Sequence, residues 1–204
     1  GKSTLINAIL GNEFLPSGNA PETARIVRVK HNPELPNGRL VDGSKVPCEG
    51  ANAIQSYLRE LNVNFRKTFA YVPEDELVLE APLHAFKDEA FKTQKFDILD
   101  TPGPNEAGAE ALRTKVERLL HDVDVIIYLL DYTKLKTEEE KSLFARLSDT
   151  RTELIKQYES RLFFVVNKID MQNRTGLKPN ETASYVVDIL KKQIPNLQIT
   201  QDRV

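Results

Sequence analysis

The sequence predicts an α/β domain in which a mostly parallel β-sheet carries helices on both faces. Two observations support this fold class. In the second half of the 204-residue chain, strand-like segments alternate with helical patterns, as expected of parallel strands joined by helices. Two of those segments, "VDVIIYLLD" at 123–131 and "RLFFVV" at 161–166, are almost continuously apolar, as strands buried on both faces of a parallel sheet are.

The first half of the chain predicts two helices, a hairpin and three further strands. Apolar residues recur at helical spacing in 5–10, and Gly11 is placed to end that helix. The segment 12–25 contains two prolines and a glycine and is predicted to be a loop. The other predicted elements are a strand at 26–31, a hairpin at 38–46 turning at Asp42-Gly43, an amphipathic helix through Ile54 and Leu61, and strands at 76–83 and 96–100.

The second half predicts three helices around its two strands. The first is predicted from the apolar spacing of Leu112, Val116, Leu119 and Leu120. The second begins at Thr137, because a threonine followed three residues later by Glu140 is a capping-box pattern. The third covers 180–194 and ends before Pro195, which cannot continue a helix.

The composition indicates one globular domain over residues 1–204, truncated at both ends. Hydrophobic residues make up 40% and charged residues 28%, which are ordinary values. The net charge of −2 leaves no basic surplus for sequence-independent binding of nucleic acid. Cys48 is the only cysteine, so an internal disulfide is excluded and a reducing compartment is favoured. No apolar run approaches the ~18 residues that span a bilayer.

The chain opens with "GKST", the second half of the phosphate-binding loop G-x-x-x-x-G-K-[ST]. A helix N-terminus offers N–H groups and a positive dipole end to an anion. We therefore expect Gly1, Lys2, Ser3 and Thr4 to bind phosphate, with Lys2 at the β- and γ-phosphates and the Ser3 hydroxyl ligating Mg²⁺. Half a motif is also compatible with a glycine-started helix that binds nothing.

A second motif, "DTPG" at 100–103, directly follows the apolar strand "FDIL". Ligands collect at the carboxyl ends of strands in such sheets. Asp100 is expected to hold Mg²⁺ through water, and the N–H of Gly103 to contact the γ-phosphate. An ordinary turn is the alternative, since turns recruit Asp and Gly for their own reasons.

A third motif, "NKID" at 167–170, also follows a buried strand. The Asp170 carboxylate can accept the N1–H and the exocyclic amine of guanine, whereas adenine presents an acceptor in place of N1–H. Losing a polar partner in this way can discriminate by ~10⁴ or more. Asn167 is expected at the other edge of the base and the stem of Lys168 against a ring face. A surface turn is the alternative.

A fourth candidate is Thr23, in the loop "PETAR". Its hydroxyl is expected to ligate Mg²⁺ and its carbonyl to hold the attacking water, in a loop ordered by the γ-phosphate. A plain turn threonine is the alternative.

In their order along the chain ("GKST", Thr23, "DTPG" and "NKID"), the four motifs resemble those of the Ras-like P-loop GTPases. The resemblance implies a P-loop GTPase fold that binds GTP with Mg²⁺ and hydrolyses it to GDP and phosphate. Asp100 lies 77 positions after Thr23 (100 − 23), which implies an insertion between switch I and "DTPG". That insertion, with "GKSTLINAILGNEFLPSGNAPETARIVRV", is similar to the dynamin superfamily, in particular its bacterial dynamin-like and mitofusin-like branch.

The dynamin resemblance implies a GTPase domain that forms a homodimer across the nucleotide. In the full-length protein it implies fission or fusion of membranes through regions absent from this sequence, at a cytoplasmic, peripherally membrane-associated location. Nucleic acid is not an expected partner. Because the first half of the phosphate loop is missing, we expect the isolated 204 residues to bind GTP weakly or not at all and to be inactive.

Three points stay open on the sequence alone. Arg25, two residues after Thr23, is a candidate for stabilising transition-state charge or a plain loop arginine. No glutamine stands beside Gly103 to orient water, because Pro104 follows it. A GTP-binding module with little hydrolysis, and an Era-like RNA-associated GTPase, are the alternative functions.

Overall fold

A computed structural model describes residues 1–18, 25–43, 45–68, 76–86, 96–102, 118–137, 156–171, 176–194 and 196–204. The chain forms two compact units, Gly1–Leu119 and Leu120–Val204. Some predicted features lie outside the described residues: Thr23, Gly103, the part of the predicted helix at Leu112 and Val116, the body of the helix predicted from Thr137, and Pro195.

The first unit contains the elements predicted for it. Gly11 ends the first helix in the left-handed conformation, with φ 72°, as expected of a C-terminal glycine. The hairpin turns at Asp42-Gly43 as predicted. The elements are α1 (Lys2–Leu10), β1 (Val27–His31), β2 (Arg39–Asp42), β3 (Lys45–Glu49), α2 (Ala51–Thr68), β4 (Leu77–Ala81) and β5 (Asp97–Asp100).

The sheet of the first unit is mixed, with strand order β3-β2-β4-β1-β5. Only β1 and β4 run parallel, while β1–β5, β2–β3 and β2–β4 are antiparallel. The prediction of a mostly parallel sheet is therefore wrong for these strands. The physical reason is the hairpin, because a short turn forces β3 to run antiparallel to β2, and β2 joins the sheet beside β4.

Strand periodicity separates an apolar face of this sheet from a charged one. In β1, the buried Val27 and Val29 alternate with Arg28 and Lys30, and in β4 the buried Leu77, Leu79 and Ala81 alternate with half-buried residues, as the period of two requires. On α2, Ile54 and Leu58 belong to the same core cluster. This apolar core fixes the positions of the N-terminus of α1 and the end of β5.

Close packing accounts for one glycine in the loop before β2. Gly38 has φ 73°, and a Cβ at this position would lie 2.3 Å from Cε1 of the buried Phe14 ring. A side chain here would meet both backbone strain and a clash. Phe14 thus anchors the segment after α1 against the entry to the hairpin.

The second unit contains a parallel strand pair and one long helix. The strands β6 (Ile126–Asp131) and β7 (Leu162–Asn167) pair in parallel, as predicted, with Asp131 opposite Asn167. The helix α3 (Pro179–Gln193) was predicted at 180–194. Its buried Val186 and Leu190 share a core cluster with Leu130 and Phe164 of the strands.

Residues 118–122, at the boundary of the units, are helical, in agreement with the helix predicted to reach Leu120. Within the described part of the chain, no helix combines the length and apolarity needed to cross a bilayer.

Candidate functional site

In the first unit, a hydrogen bond joins the first two predicted motifs. The Ser3 hydroxyl, in the first turn of α1, donates to Oδ2 of Asp100 at the end of β5, at 3.0 Å. The two residues are 97 positions apart, and both are buried, Asp100 with only 2% of its surface exposed. The fold thus places Ser3 of "GKST" against Asp100 of "DTPG".

The start of α1 offers groups suited to an anion. The first N–H groups of any helix have no partner within that helix, and the helix dipole adds positive potential. Gly1 and Thr4 are exposed and Lys2 is half-buried. Gly1 N donates to Oγ1 of Thr4 at 3.0 Å. The four residues predicted to bind phosphate therefore occupy one helix turn beside Asp100.

The donor set at this place fits Mg²⁺. Ser3 and Asp100 present hydroxyl and carboxylate oxygens, which are the hard ligands that Mg²⁺ prefers. Among the described residues, no three His, Cys, Asp or Glu side chains gather into a metal cluster. A Mg²⁺ ion carried by a nucleotide does not need one, because phosphates and waters complete its shell.

Asn7 positions the segment that follows α1, a role the sequence analysis missed. Its side-chain amide donates to the Leu15 carbonyl at 2.8 Å, and its Oδ1 accepts from Leu15 N at 2.9 Å. Asn7 is buried, so both bonds are made away from water. An asparagine among the apolar residues of a helix is the sequence signal that would have pointed to it.

Arg25 is held by an ion pair. Its Nη1 and Nη2 donate to the two carboxylate oxygens of Asp42, each at 3.1 Å, and the Arg25 side chain is 10% exposed. The Tyr57 hydroxyl on α2 donates to Asp42 Oδ2 at 3.0 Å. Arg25 and Asp100 also line the same small cavity. The guanidinium predicted as a catalytic candidate therefore links the chain just before β1 to the hairpin and α2.

Electrostatics at Asp42 follow from these contacts. Burial alone raises the pKa of the Asp42 carboxyl, but hydrogen bonds from Arg25 and Tyr57 outweigh it and lower that pKa below its usual value. Burial, with the bond to Asp42, raises the pKa of Tyr57.

In the second unit, the guanine motif lies at the carboxyl end of β7. Asn167 ends the strand, and its Oδ1 accepts from Lys168 N at 2.9 Å. Lys168 has φ 63°, in the left-handed region. Asp170 lies in the turn Ile169–Met171, where its side chain is exposed. Met171 N donates to the Lys168 carbonyl at 3.0 Å and closes that turn.

The sequence analysis missed the partner of Lys168. The Lys168 ammonium donates to Oδ2 of Asp131 at 2.7 Å. The other oxygen, Oδ1, accepts from Thr133 N at 3.0 Å and from Thr133 Oγ1 at 2.7 Å. Burial raises the pKa of Asp131, and the bonds from Lys168 and Thr133 lower it to a net value below the usual range. The available signal was an aspartate ending an apolar strand, as at Asp100.

Comparisons with known proteins agree with the motifs. The sequence profile described as "Dynamin family" matches residues 1–169. The clamp-binding protein CrfC of Escherichia coli K12 is 26% identical over 94% of this chain and 33% of its own length. Dynamin-like protein A of Bacillus subtilis is 23% identical over 93% of this chain and 14% of its length. The probable transmembrane GTPase FZO-like, chloroplastic, of Arabidopsis thaliana is 24% identical over 94% of this chain and 16% of its own length. The chain thus spans a third or less of these relatives.

The Arg25–Asp42 pair generates a prediction on stability. Ionised Asp42 stabilises the folded state above its unfolded pKa of about 4, and this contribution is lost as the pH falls through the lowered folded pKa. We expect Asp42→Asn to be about 1–3 kcal/mol less stable than the parent at neutral pH. Its stability should also fall less between about pH 6 and pH 3. Urea denaturation at several pH values measures both effects.

Asp188→Asn, at an exposed position of α3, is the matched control and should follow the parent throughout. An Asp42→Asn variant with the parent's full acid dependence would show that the ion pair contributes nothing.

Proposed function

This chain belongs to the dynamin family, as its motifs predicted, and on that premise we propose that it binds GTP and hydrolyses it to GDP and phosphate. The two units are proposed to make up one GTP-binding domain. The observation that carries the proposal is the buried bond between Ser3 and Asp100, because it joins two motifs that phosphoryl transfer needs together. The printed name of the FZO-like relative, a probable GTPase, supports the same activity.

The first unit is proposed to hold the triphosphate. The N–H groups of Gly1–Thr4 and the Lys2 ammonium would bind the phosphates. Ser3 and Asp100 would hold Mg²⁺, with Thr23 as a further ligand, and the ion would neutralise charge on the phosphate oxygens. The buried position of Ser3 and Asp100 supports this role, since it keeps both oxygens in a fixed place.

The second unit is proposed to recognise guanine. Asp170 would accept hydrogen bonds from N1–H and the exocyclic amine, and its exposed side chain is accessible to a ligand. Asn167 would contact the other edge of the base, and the stem of Lys168 would lie against a ring face.

Hydrolysis is proposed to depend on Thr23 and Gly103. The Thr23 carbonyl would hold the attacking water, and the Gly103 N–H would contact the γ-phosphate. Arg25 is the candidate for stabilising developing charge, which would require it to exchange Asp42 for the phosphates. Turnover is proposed to accelerate when two copies dimerise across the nucleotide. In the full-length protein, located peripherally at a membrane, GTP hydrolysis would drive membrane remodelling.

Guanine recognition is tested by nucleotide choice in the full-length protein. Inosine triphosphate lacks the exocyclic amine, so Asp170 would accept one hydrogen bond from it and two from GTP. We expect GTP to bind about 10- to 100-fold more tightly than inosine triphosphate. Asp170→Ala should abolish this preference, so that the two nucleotides bind with about equal affinity. Titration calorimetry with both nucleotides and with ATP measures the ratios.

Asp188→Ala is the matched control, because it removes another exposed aspartate of the same unit. Equal binding of ATP and GTP by the parent protein, or an unchanged preference in Asp170→Ala, would overturn the assignment of guanine.

Hydrolysis is tested separately by phosphate release at increasing protein concentration. An enzyme activated by dimerisation should show a rate per molecule that rises with concentration and then saturates. A rate per molecule that stays flat and near background, despite bound GTP, would identify a GTP-binding module instead.

A further inference from the structure

The carboxyl ends of β6 and β7 bring a second acidic residue to the guanine motif. The strands are parallel and Asp131 pairs in register with Asn167, so both residues terminate their strands at the same edge of the sheet. Ligands of parallel sheets bind at this edge. Asp131 is therefore placed beside the motif by strand pairing, although 37 positions separate it from Lys168.

The carboxylate of Asp131 has a fixed orientation. Thr133 donates to Oδ1 through both its backbone N–H and its hydroxyl, at 3.0 and 2.7 Å. The second oxygen remains directed at the Lys168 ammonium, 2.7 Å away. A carboxylate held in this way can select one conformation of a flexible lysine.

Lys168 is constrained at both ends. Its backbone adopts φ 63°, a conformation that residues with a Cβ visit rarely and that persists where surrounding contacts enforce it. Asn167 Oδ1 accepts from its N–H, Met171 N donates to its carbonyl, and Asp131 binds its ammonium. Strain of this kind clusters at functional sites.

Folding stability is a poor explanation for the ion pair. The side chains of Lys168 and Asp131 are 44% and 23% exposed, and exposed ion pairs contribute little to stability. A lysine side chain loses much conformational freedom when it is ordered. Ordering it before a ligand arrives removes that cost from binding.

We propose that Asp131 is a positioning residue for nucleotide binding, which acts by holding Lys168 in the conformation that receives the guanine ring. The proposal rests on the proposed function, because it assigns Lys168 to the base. Asp131 acts through Lys168 and does not itself touch the nucleotide. The edge contacts that distinguish guanine from other purines belong to Asp170.

A double-mutant cycle in the full-length protein tests the proposal. We expect Asp131→Asn to weaken GTP binding about 5- to 10-fold, as the ordering of one long side chain implies. In a Lys168→Ala background, the same substitution should change the dissociation constant by less than about twofold, because the residue through which it acts is gone. Thr133→Val, which removes only the hydroxyl that holds the carboxylate, should give an intermediate loss.

Two further readouts separate positioning from a general structural role. Asp131→Asn should weaken binding of GTP and of inosine triphosphate by the same factor, because the hydrogen bonds of Asp170 are intact. Its melting temperature should match that of Asp202→Asn, a control aspartate at an exposed position of the same unit.

Equal losses from Asp131→Asn with and without Lys168, or unchanged GTP affinity in Asp131→Asn alone, would overturn the proposal. If the parent protein shows no preference for GTP over inosine triphosphate, the proposed function fails and this inference fails with it. If the parent and Asp170→Ala behave as expected and Asp131→Asn does not, this inference alone is wrong.

Discussion

The hydrogen bond between Ser3 and Asp100 is the contact on which the first unit's site depends. A carboxylate buried to 2% exposure needs polar partners to remain in the protein interior, and the first turn of α1 supplies one at 3.0 Å. That requirement fixes the helix start relative to the end of β5. Lys2 and the N–H groups of the helix start are positioned with it, so one buried polar pair organises the groups proposed to bind phosphate.

In the second unit, strand pairing positions the polar groups of the proposed site. Parallel pairing of β6 and β7 places Asp131 opposite Asn167, and the next residue in the chain, Lys168, closes the link back to Asp131. In both units an apolar strand ends in a polar residue whose partner comes from a distant part of the sequence. The strands supply rigidity, and the residues at their carboxyl ends supply the polar groups of the site.

Local patterns predicted the elements well, and distant partners were not predictable. Gly11, the Asp42-Gly43 turn and the apolar strands each carry a local signal, and the structure agrees at each. The prediction of a mostly parallel sheet was wrong for the first unit. The local sequence pattern does not reveal that β2 pairs with β4, or that β1 and β5 run antiparallel. The partners of Arg25 and Lys168 were missed for the same reason, since tertiary contacts alone bring Asp42 and Asp131 to them.

The most direct test of the central claim is the Mg²⁺ dependence of GTP affinity in the full-length protein. With Mg²⁺ present we expect the parent to bind GTP at least about tenfold more tightly than in EDTA. Ser3→Ala should lose most of that gain and keep its preference for GTP over ATP, while Ser17→Ala, in the loop after α1, should retain both. Equal affinity with and without Mg²⁺ in the parent, or the full gain in Ser3→Ala, would contradict a GTP site built on Ser3 and Asp100.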